Sequence, residues 1–592
     1  MDALILAIGA ILLIALATAV APRVGIAGPL VLVLVGAGIS VLPFVSIPEI
    51  DPEWILVGVL PPLLYSAAVA LPAIEFRRDF RPIAGLAFVL VIISSLVLGA
   101  FFMAVIPGIH PAIAVALGAI LSPTDAVATT IVKRLGVSRR VVTMLEGESL
   151  LNDATALVLL RTMVAAAAVA ATGVDADTDI GVGFLPAFAW GVIVALVVGG
   201  IVGYLNLRLR SLIGHSAANT AVGFVVPFVA YLPTEELGGS GLVAAVVAGI
   251  VTGQGSARWF TPEQRRSDEH NWRTVELVLE GAVFLIMGLE LDEIVRRNIS
   301  EHNGLGTGLA IAAGALGIIL AVRAAYVALL VWTQSRRARS RRRRRLEAIG
   351  LRIDDVAAGR LASASGPLTR RAARRPDAGD PHVQRRIESM RARVSRAMSD
   401  LNYYEASPLG WKHGTVIVWA GMRGVVTLAA AQTLSDETTD DRALLVFIAF
   451  AVAAGSLMLQ GFTLPWLVRM LRIETTDSDA LDRAEQSALD DELRAAAASA
   501  LSADGLRRRD GSPFPEELVQ RVGTRLIEPP DDETTSLARD VLELRLAMIE
   551  AMRARLNELA SGGGYSTPAL RHALAELDAD QLSLELRIDD DD

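Results

Sequence analysis

The sequence predicts an all-α polytopic membrane protein of about 13 transmembrane helices followed by a small helical cytoplasmic tail. Three observations carry this reading. The 592-residue chain is 53% hydrophobic, with a mean hydropathy of +0.47. Its charges are segregated into short connections, one long loop and the C-terminal end. The short connections alternate between basic and acidic, as successive membrane crossings produce when Lys and Arg stay on the cytoplasmic side.

A helix needs about 20 mainly apolar residues to cross a bilayer. Segments of this kind fall at residues 3–21, 26–43, 54–72, 83–106, 111–132, 142–171, 184–205, 217–233, 240–255, 273–291, 305–333, 412–433 and 442–468. The first, ALILAIGAILLIALATAVAP, has no basic residues before it, only Asp2. A cleaved signal peptide carries a positive n-region, so this segment is read as a retained membrane helix.

The connections orient the spans. Basic clusters stand at Arg77, Arg78 and Arg81, at Lys133, Arg134, Arg139 and Arg140, at Arg208 and Arg210, at Arg258, Arg265 and Arg266, from Arg336 onward, and at Arg469 and Arg472. The alternate set is acidic, at Asp2, at Glu49, Asp51 and Glu53, at Asp175, Asp177 and Asp179, at Glu235 and Glu236, and at Asp436, Glu437, Asp440 and Asp441. Only Arg296 and Arg297 break the pattern. The N-terminus is expected outside and the C-terminus inside, in the plasma membrane.

This gives a domain plan. Residues 1–333 hold spans one to eleven, 334–411 form a basic cytoplasmic loop, 412–472 hold the last two spans, and 473–592 form an acidic helical C-terminal domain. The loop, with its run Arg341 to Arg345, is read as held inside by its charge, or as a surface attracted to anionic lipid. No aromatic-interleaved or base-reading motif accompanies the charge, so nucleic acid is not an expected partner. Helical periodicity marks DALDRAEQSALDDELRAAAASAL and SLARDVLELRLAMIEAMRARLNEL in the tail. Regulation through a ligand or partner, dimerisation and simple capping all stay open for it. The chain has no cysteine, which excludes disulfides and Cys-based metal sites.

Against this apolar background, a few spans carry polar groups at membrane depth, where a charge costs roughly 2.5–3.5 kcal/mol or more. The fifth, PAIAVALGAILSPTDAVATTIVKR, is interrupted at Ser122-Pro123-Thr124-Asp125. Pro123 removes a backbone donor and disfavours helix at Ser122. Such breaks are tolerated in a membrane where they are buried in protein or line a cavity. The sixth contains LEGESLLNDATALVLLR. Glu148 and Asn152 share one helix face, and Ser149 and Asp153 the adjacent one. Asp153 offers a titratable carboxylate; Ser149 and Asn152 offer neutral oxygens, the hard ligands a partly dehydrated monovalent cation requires. The twelfth, HGTVIVWAGMRGVVTLAAA, places Arg423 mid-span between glycines. Arg423 needs an anionic partner. Glu146 and Glu148 are the candidates, and a structural Glu148–Arg423 pair is the expectation. That leaves Asp153 and Asp125 for another purpose. Glu280 is deep and ambiguous, and Arg161 and Arg323 are read as pairing or snorkelling.

At these residues the chain resembles the monovalent cation/proton antiporters of the CPA1 family, the sodium/proton exchangers of the NhaP and NHE type. The motifs are SPTDAVAT at 122–129, GESLLNDA at 147–154, FLIMGLEL at 284–291 and GMRG at 421–424. The resemblance covers about residues 1–470. It implies two inverted repeats, interrupted fifth and twelfth helices that cross, a core domain moving against a dimerisation domain, and a homodimer. It also implies that Asp153 binds cation or proton, that Asn152, Ser149, Thr124 and Asp125 shape the site of the transported cation, and that Glu148 and Arg423 form a structural pair. The chain departs from the family in two places. LPPLLYSAA puts Tyr65 and Ser66 where an acidic residue is frequent, and Ala126 follows Asp125 in place of a common Pro.

The expected mechanism is exchange of a monovalent cation, Na⁺ with K⁺ or Li⁺ as alternatives, for protons by alternating access. Asp153 would hold one or the other. A carboxyl titrates near 4 in water, and burial disfavours its charged form. With one exchanged carboxylate the cycle is expected to be electroneutral, as the family pattern also implies where Asn precedes the Asp. No cofactor and no enzymatic activity are expected, since P-loop, HExxH and in-span GxSxG motifs are absent. A gated cation channel with a regulatory tail is the alternative.

Overall fold

The computed structural model describes residues 2–24, 27–42, 52–171, 180–300, 304–337, 408–434, 441–473 and 535–589, with shorter stretches between 389 and 404 and between 488 and 519. Much of the expected basic loop, 338–388, lies outside the described residues, as do most of the acidic connections at 43–51, 172–179 and 435–440. Among the described residues there are helices and one isolated bridge, Arg507 with Pro513, but no strand. The chain divides into two compact units, Met1–Val331 with Trp411–Thr475, and Trp332–Gly410 with Thr476–Asp592.

In the first unit a helix lies at each of the thirteen expected segments. These are α1 Asp2–Val24, α2 Gly28–Ser40, α3 Leu60–Ala70 with a π-helical lead-in at Trp54–Val59, the short α4 Ala73–Arg78, then α5 Phe80–Ala84 running through a π-helical stretch into α6 Val91–Val105. They continue with α7 Pro111–Leu121, α8 Val127–Arg134, α9 Arg139–Ala171, α10 Ile180–Ser211, α11 Ser216–Glu236, α12 Gly241–Trp259, α13 Pro262–Leu289, α14 Leu291–Ser300 and α15 Leu305–Arg337. After the loop come α16 Trp411–Trp419, α17 Val425–Gln432 and α18 Arg442–Met470. Among the described residues, six helices are long and apolar enough to cross a membrane, among them Arg139–Val169 and Arg442–Met470, and further apolar helices are shorter.

Local chemistry sets the boundaries. Pro111 opens α7 behind an N-cap at His110, and Pro262 opens α13 inside a capping box made by Thr261 and Gln264. Both uses fit proline's missing N–H at a helix start. Two elements stop inside expected membrane spans. α7 ends at Leu121 before Pro123, and α16 ends at Trp419 before Gly421 and Gly424.

Packing sorts the helices into two groups. In one, α10, α11 and α12 pack together, α12 packs on α3, and α13 packs on α2 and α1. Gly36 of α2 and Gly288 of α13 let those backbones touch; a methyl on Gly288 would overlap the carbonyl of Val33. In the other, α6 packs on α7, α7 on α9, and α17 and α18 pack on each other and on α7. α15 joins this group through Gly314 against Phe101 and Gly308 against Phe447. Fewer contacts join the groups, among them α9 with α10 and α12, and α13 with α17, while α14 packs on α18 as well as on α2 and α13.

The second unit contains a helical hairpin, α19 Thr535–Gly562 and α20 Thr567–Asp589, turning at Gly563 with a φ of 69°. Leu544 and Met548 of α19 bury with Ala497, Phe514 and Leu518. Glu492 accepts from Arg555 at 2.9 Å and from Tyr565 at 2.5 Å. Both expected tail helices fall on helical residues among those described.

Candidate functional site

The two interruptions meet. The backbone N–H of Asp125 donates to the carbonyl of Met422 at 2.8 Å, joining the break between α7 and α8 to the break between α16 and α17. A half-helix ending in the membrane leaves carbonyls unpaired at its C-terminus and N–H groups unpaired at its N-terminus, with partial charges to match. The site is organised around those four ends.

Basic side chains hold the C-terminal ends. Arg423, 2% exposed, donates through Nε to the Leu121 carbonyl at 2.9 Å and through Nη2 to that of Ser122 at 3.5 Å, at the end of α7. It also donates to the Gly421 carbonyl, and its own N–H is accepted by Ser456 of α18 at 2.9 Å. Arg323 of α15 donates to the Ile417 carbonyl of α16 at 3.0 Å. The N-terminal ends carry the carboxylate. Asp125 Oδ1 accepts from Val127 N–H at 2.8 Å, at the start of α8. Gly424, which starts α17, lies against the same carboxylate, and a methyl on it would overlap Asp125 Oδ2.

α9 supplies the other wall. Glu148, Ser149, Asn152 and Asp153 are all buried. Asn152 Nδ2 donates to Thr124 Oγ1 at 2.7 Å, tying α9 to the break. Its Oδ1 is buried with no partner, which is costly for an amide oxygen unless something donates to it or coordinates it. Asp153 and Asp125 interact electrostatically, as do Asp125 and Glu280 of α13. The buried Asp153 carboxylate, the Asp125 carboxylate at the break, the Thr124 hydroxyl and the unpaired amide oxygen of Asn152 form an oxygen-rich set. That chemistry fits a hard monovalent cation. Ser149 is buried on the same helix.

One expectation needs correction. Glu148 does not pair with Arg423. It makes a two-pronged ion pair with Arg323, through Nη1 to Oε1 and through Nη2 to Oε2 at 2.8 Å, with both side chains almost fully buried. The reason is positional. Arg423 is used up by the carbonyls of α7, while Arg323 comes in from α15 beside Gly421. Arg161 pairs with Glu235. Sequence reading had no signal for Ser94 and Ser95, which hold Ser122 at 3.0 and 3.1 Å, or for Ser456. A lone Ser in an apolar span carries no periodic mark.

Comparison with known proteins decides the family. Residues 9–352 and 392–470 match the family model of the sodium/hydrogen exchanger, transmembrane. The chain belongs to the sodium/hydrogen exchanger family. This is a family of transporters, not of enzymes. A protein named as an uncharacterized Na(+)/H(+) exchanger of Mycobacterium tuberculosis is 25% identical over 98% of this chain and 96% of its own length. The Na(+)/H(+) exchanger YjcE of Escherichia coli, also named as uncharacterized, is 36% identical over 46% of this chain and 50% of its own. A sodium, potassium, lithium and rubidium/H(+) antiporter of Bacillus pumilus is 31% identical over 45% of this chain and 40% of its own. The fold is that of the sodium proton antiporter MjNhaP1 from Methanocaldococcus jannaschii, with a TM-score of 0.52 at 18% identity, covering 80% of this chain and all of the other.

Proposed function

We propose that this exchanger moves one monovalent cation against one proton, with Asp153 as the exchanged site. The observation that supports the reading is the crossing itself. Arg423, Arg323 and Glu148 are committed to helix ends and to each other. Asp153 is a buried carboxylate outside that set. A buried carboxylate needs a proton or a cation, and either one satisfies it. Asp125, Thr124 and Asn152 supply further oxygens. Ser149 lies one helical position from Glu148 and is kept as a member of the set.

Na⁺ is the proposed ion, in line with the family's name, while the Bacillus relative's name leaves room for K⁺ and Li⁺. Exchange at a single carboxylate makes the cycle electroneutral. The two helix groups would rock against each other to expose the site to alternate faces. We place the N-terminus outside and the C-terminus in the cytoplasm of the plasma membrane, on the alternation of basic and acidic connections. The domain plan drawn from the sequence, with a basic loop at 334–411, an acidic regulatory tail at 473–592 and a homodimer, belongs to the same proposal.

The test is acid-loaded liposomes containing purified protein and a pH-sensitive dye. Added Na⁺, Li⁺ or K⁺ should alkalinise the interior, and Asp153→Asn should abolish the response while remaining folded. Exchange unaffected by Asp153→Asn would refute the assignment. A rate that follows membrane voltage at symmetric ion concentrations would refute electroneutrality.

A further inference from the structure

We propose that two side-chain bridges on the face carrying the acidic connections, Arg161–Glu235 and Gln432–Glu290, form a latch that holds that side of the protein shut, and that both must part for the Asp153 site to open there. The inference rests on the exchange reading above, in which the two helix groups move against each other.

Each bridge joins the two groups. Arg161 lies on α9, eight residues beyond Asp153 and so about 12 Å further along the helix, toward the connection 172–179. It donates to Oε2 of Glu235, in the last turn of α11. Gln432 is the last residue of α17, and its Nε2 donates to Oε2 of Glu290 at 2.7 Å, directly after α13. α9 and α17 belong to the group that bears the crossing, while α11 and α13 belong to the other.

Each bridge is also anchored behind. The second oxygen of Glu235 accepts from the Gly241 N–H at 2.8 Å, which fixes it to the start of α12 within its own group. The carbonyls of Gln432 and Leu434 accept from Arg442 of α18, at 2.9 and 2.5 Å. The bridges therefore connect two bodies, not two loose side chains. The Arg161–Glu235 bridge is also weakly held. Arg161 is 51% exposed and Glu235 24%, and ion pairs in water contribute little. A contact made in only one arrangement stabilises that arrangement, and a weak one can be broken in every cycle.

The chain has no cysteine, so introduced pairs can be linked selectively. Full-length Arg161→Cys/Glu235→Cys and Glu290→Cys/Gln432→Cys would be reconstituted and bridged with a bis-methanethiosulfonate reagent, which reductant removes. Glu293→Cys/Arg297→Cys, a pair within α14, is the comparator. The expected result is loss of cation-driven proton movement on linking either cross-group pair, recovery on reduction, and no effect in the comparator. Exchange at the unlinked rate in either linked pair would overturn the latch, and so would a loss that reductant does not reverse. Wild-type protein that exchanges no cation for protons would instead refute the exchange reading, which this assay scores separately. Two independent pairs keep the test valid if one double variant folds poorly.

Discussion

Glu148 is paired with Arg323, 175 residues further along the chain, and not with Arg423 of the GMRG motif. Two arginines thus serve two purposes at one crossing. Arg323 balances a buried charge and touches α16, while Arg423 closes the end of α7. Removing one partner of a buried pair is expected to cost about 3–5 kcal/mol. Thermal unfolding of Glu148→Gln, Arg323→Gln, Arg423→Gln and the double variants measures this. The Glu148/Arg323 cycle should be strongly non-additive and the Glu148/Arg423 cycle less so. The reverse order would contradict the pairing.

Gly424 has a steric role. A methyl there would overlap the Asp125 carboxylate, so either α17 or Asp125 must move. Gly424→Ala is expected to abolish exchange in the liposome assay while the protein still inserts and purifies. Gly9→Ala, where a methyl meets nothing within 4 Å, should exchange like wild type.

The Asn152–Thr124 hydrogen bond positions an oxygen set without adding charge. Thr124→Val keeps the shape but leaves Asn152 Nδ2 without its acceptor, a loss of about 1–3 kcal/mol. The half-saturating cation concentration is expected to rise by roughly tenfold, the ratio that about 1.4 kcal/mol corresponds to, and Thr124→Ser should restore it. An unchanged concentration dependence for Thr124→Val would remove Thr124 from the site.

In the C-terminal unit, Leu544 is fully buried in the cluster with Phe514 and Leu518. Leu544→Ala is expected to cost about 2–5 kcal/mol of that unit's stability. Limited proteolysis should then cut within 488–589 at protease levels that leave the wild-type tail intact. Equal resistance would mean that this cluster does not hold the tail together.

Much of this architecture was legible in the sequence for a physical reason. A lipid environment forces every spanning segment to be long, apolar and helical, and each of those features leaves a mark on composition. Pro123 marked the break in the fifth span, because it removes a backbone donor, while the break beside Gly421 and Gly424 was implied by the family resemblance. Ser122, Thr124, Asp125, Asn152 and Asp153 stood out because polar groups there are costly. The tail helices showed by their spacing. What the sequence could not settle was pairing. Arg323 and Arg423 are both basic residues at depth, and nothing in their local patterns tells which one meets Glu148. Only the fold brings α15 alongside α9, puts Arg423 within reach of the free carbonyls of α7, and sets Glu235 and Glu290 across from the opposite helix group. Composition fixes which residues enter the membrane, whereas which of them touch depends on long-range packing that no single segment encodes.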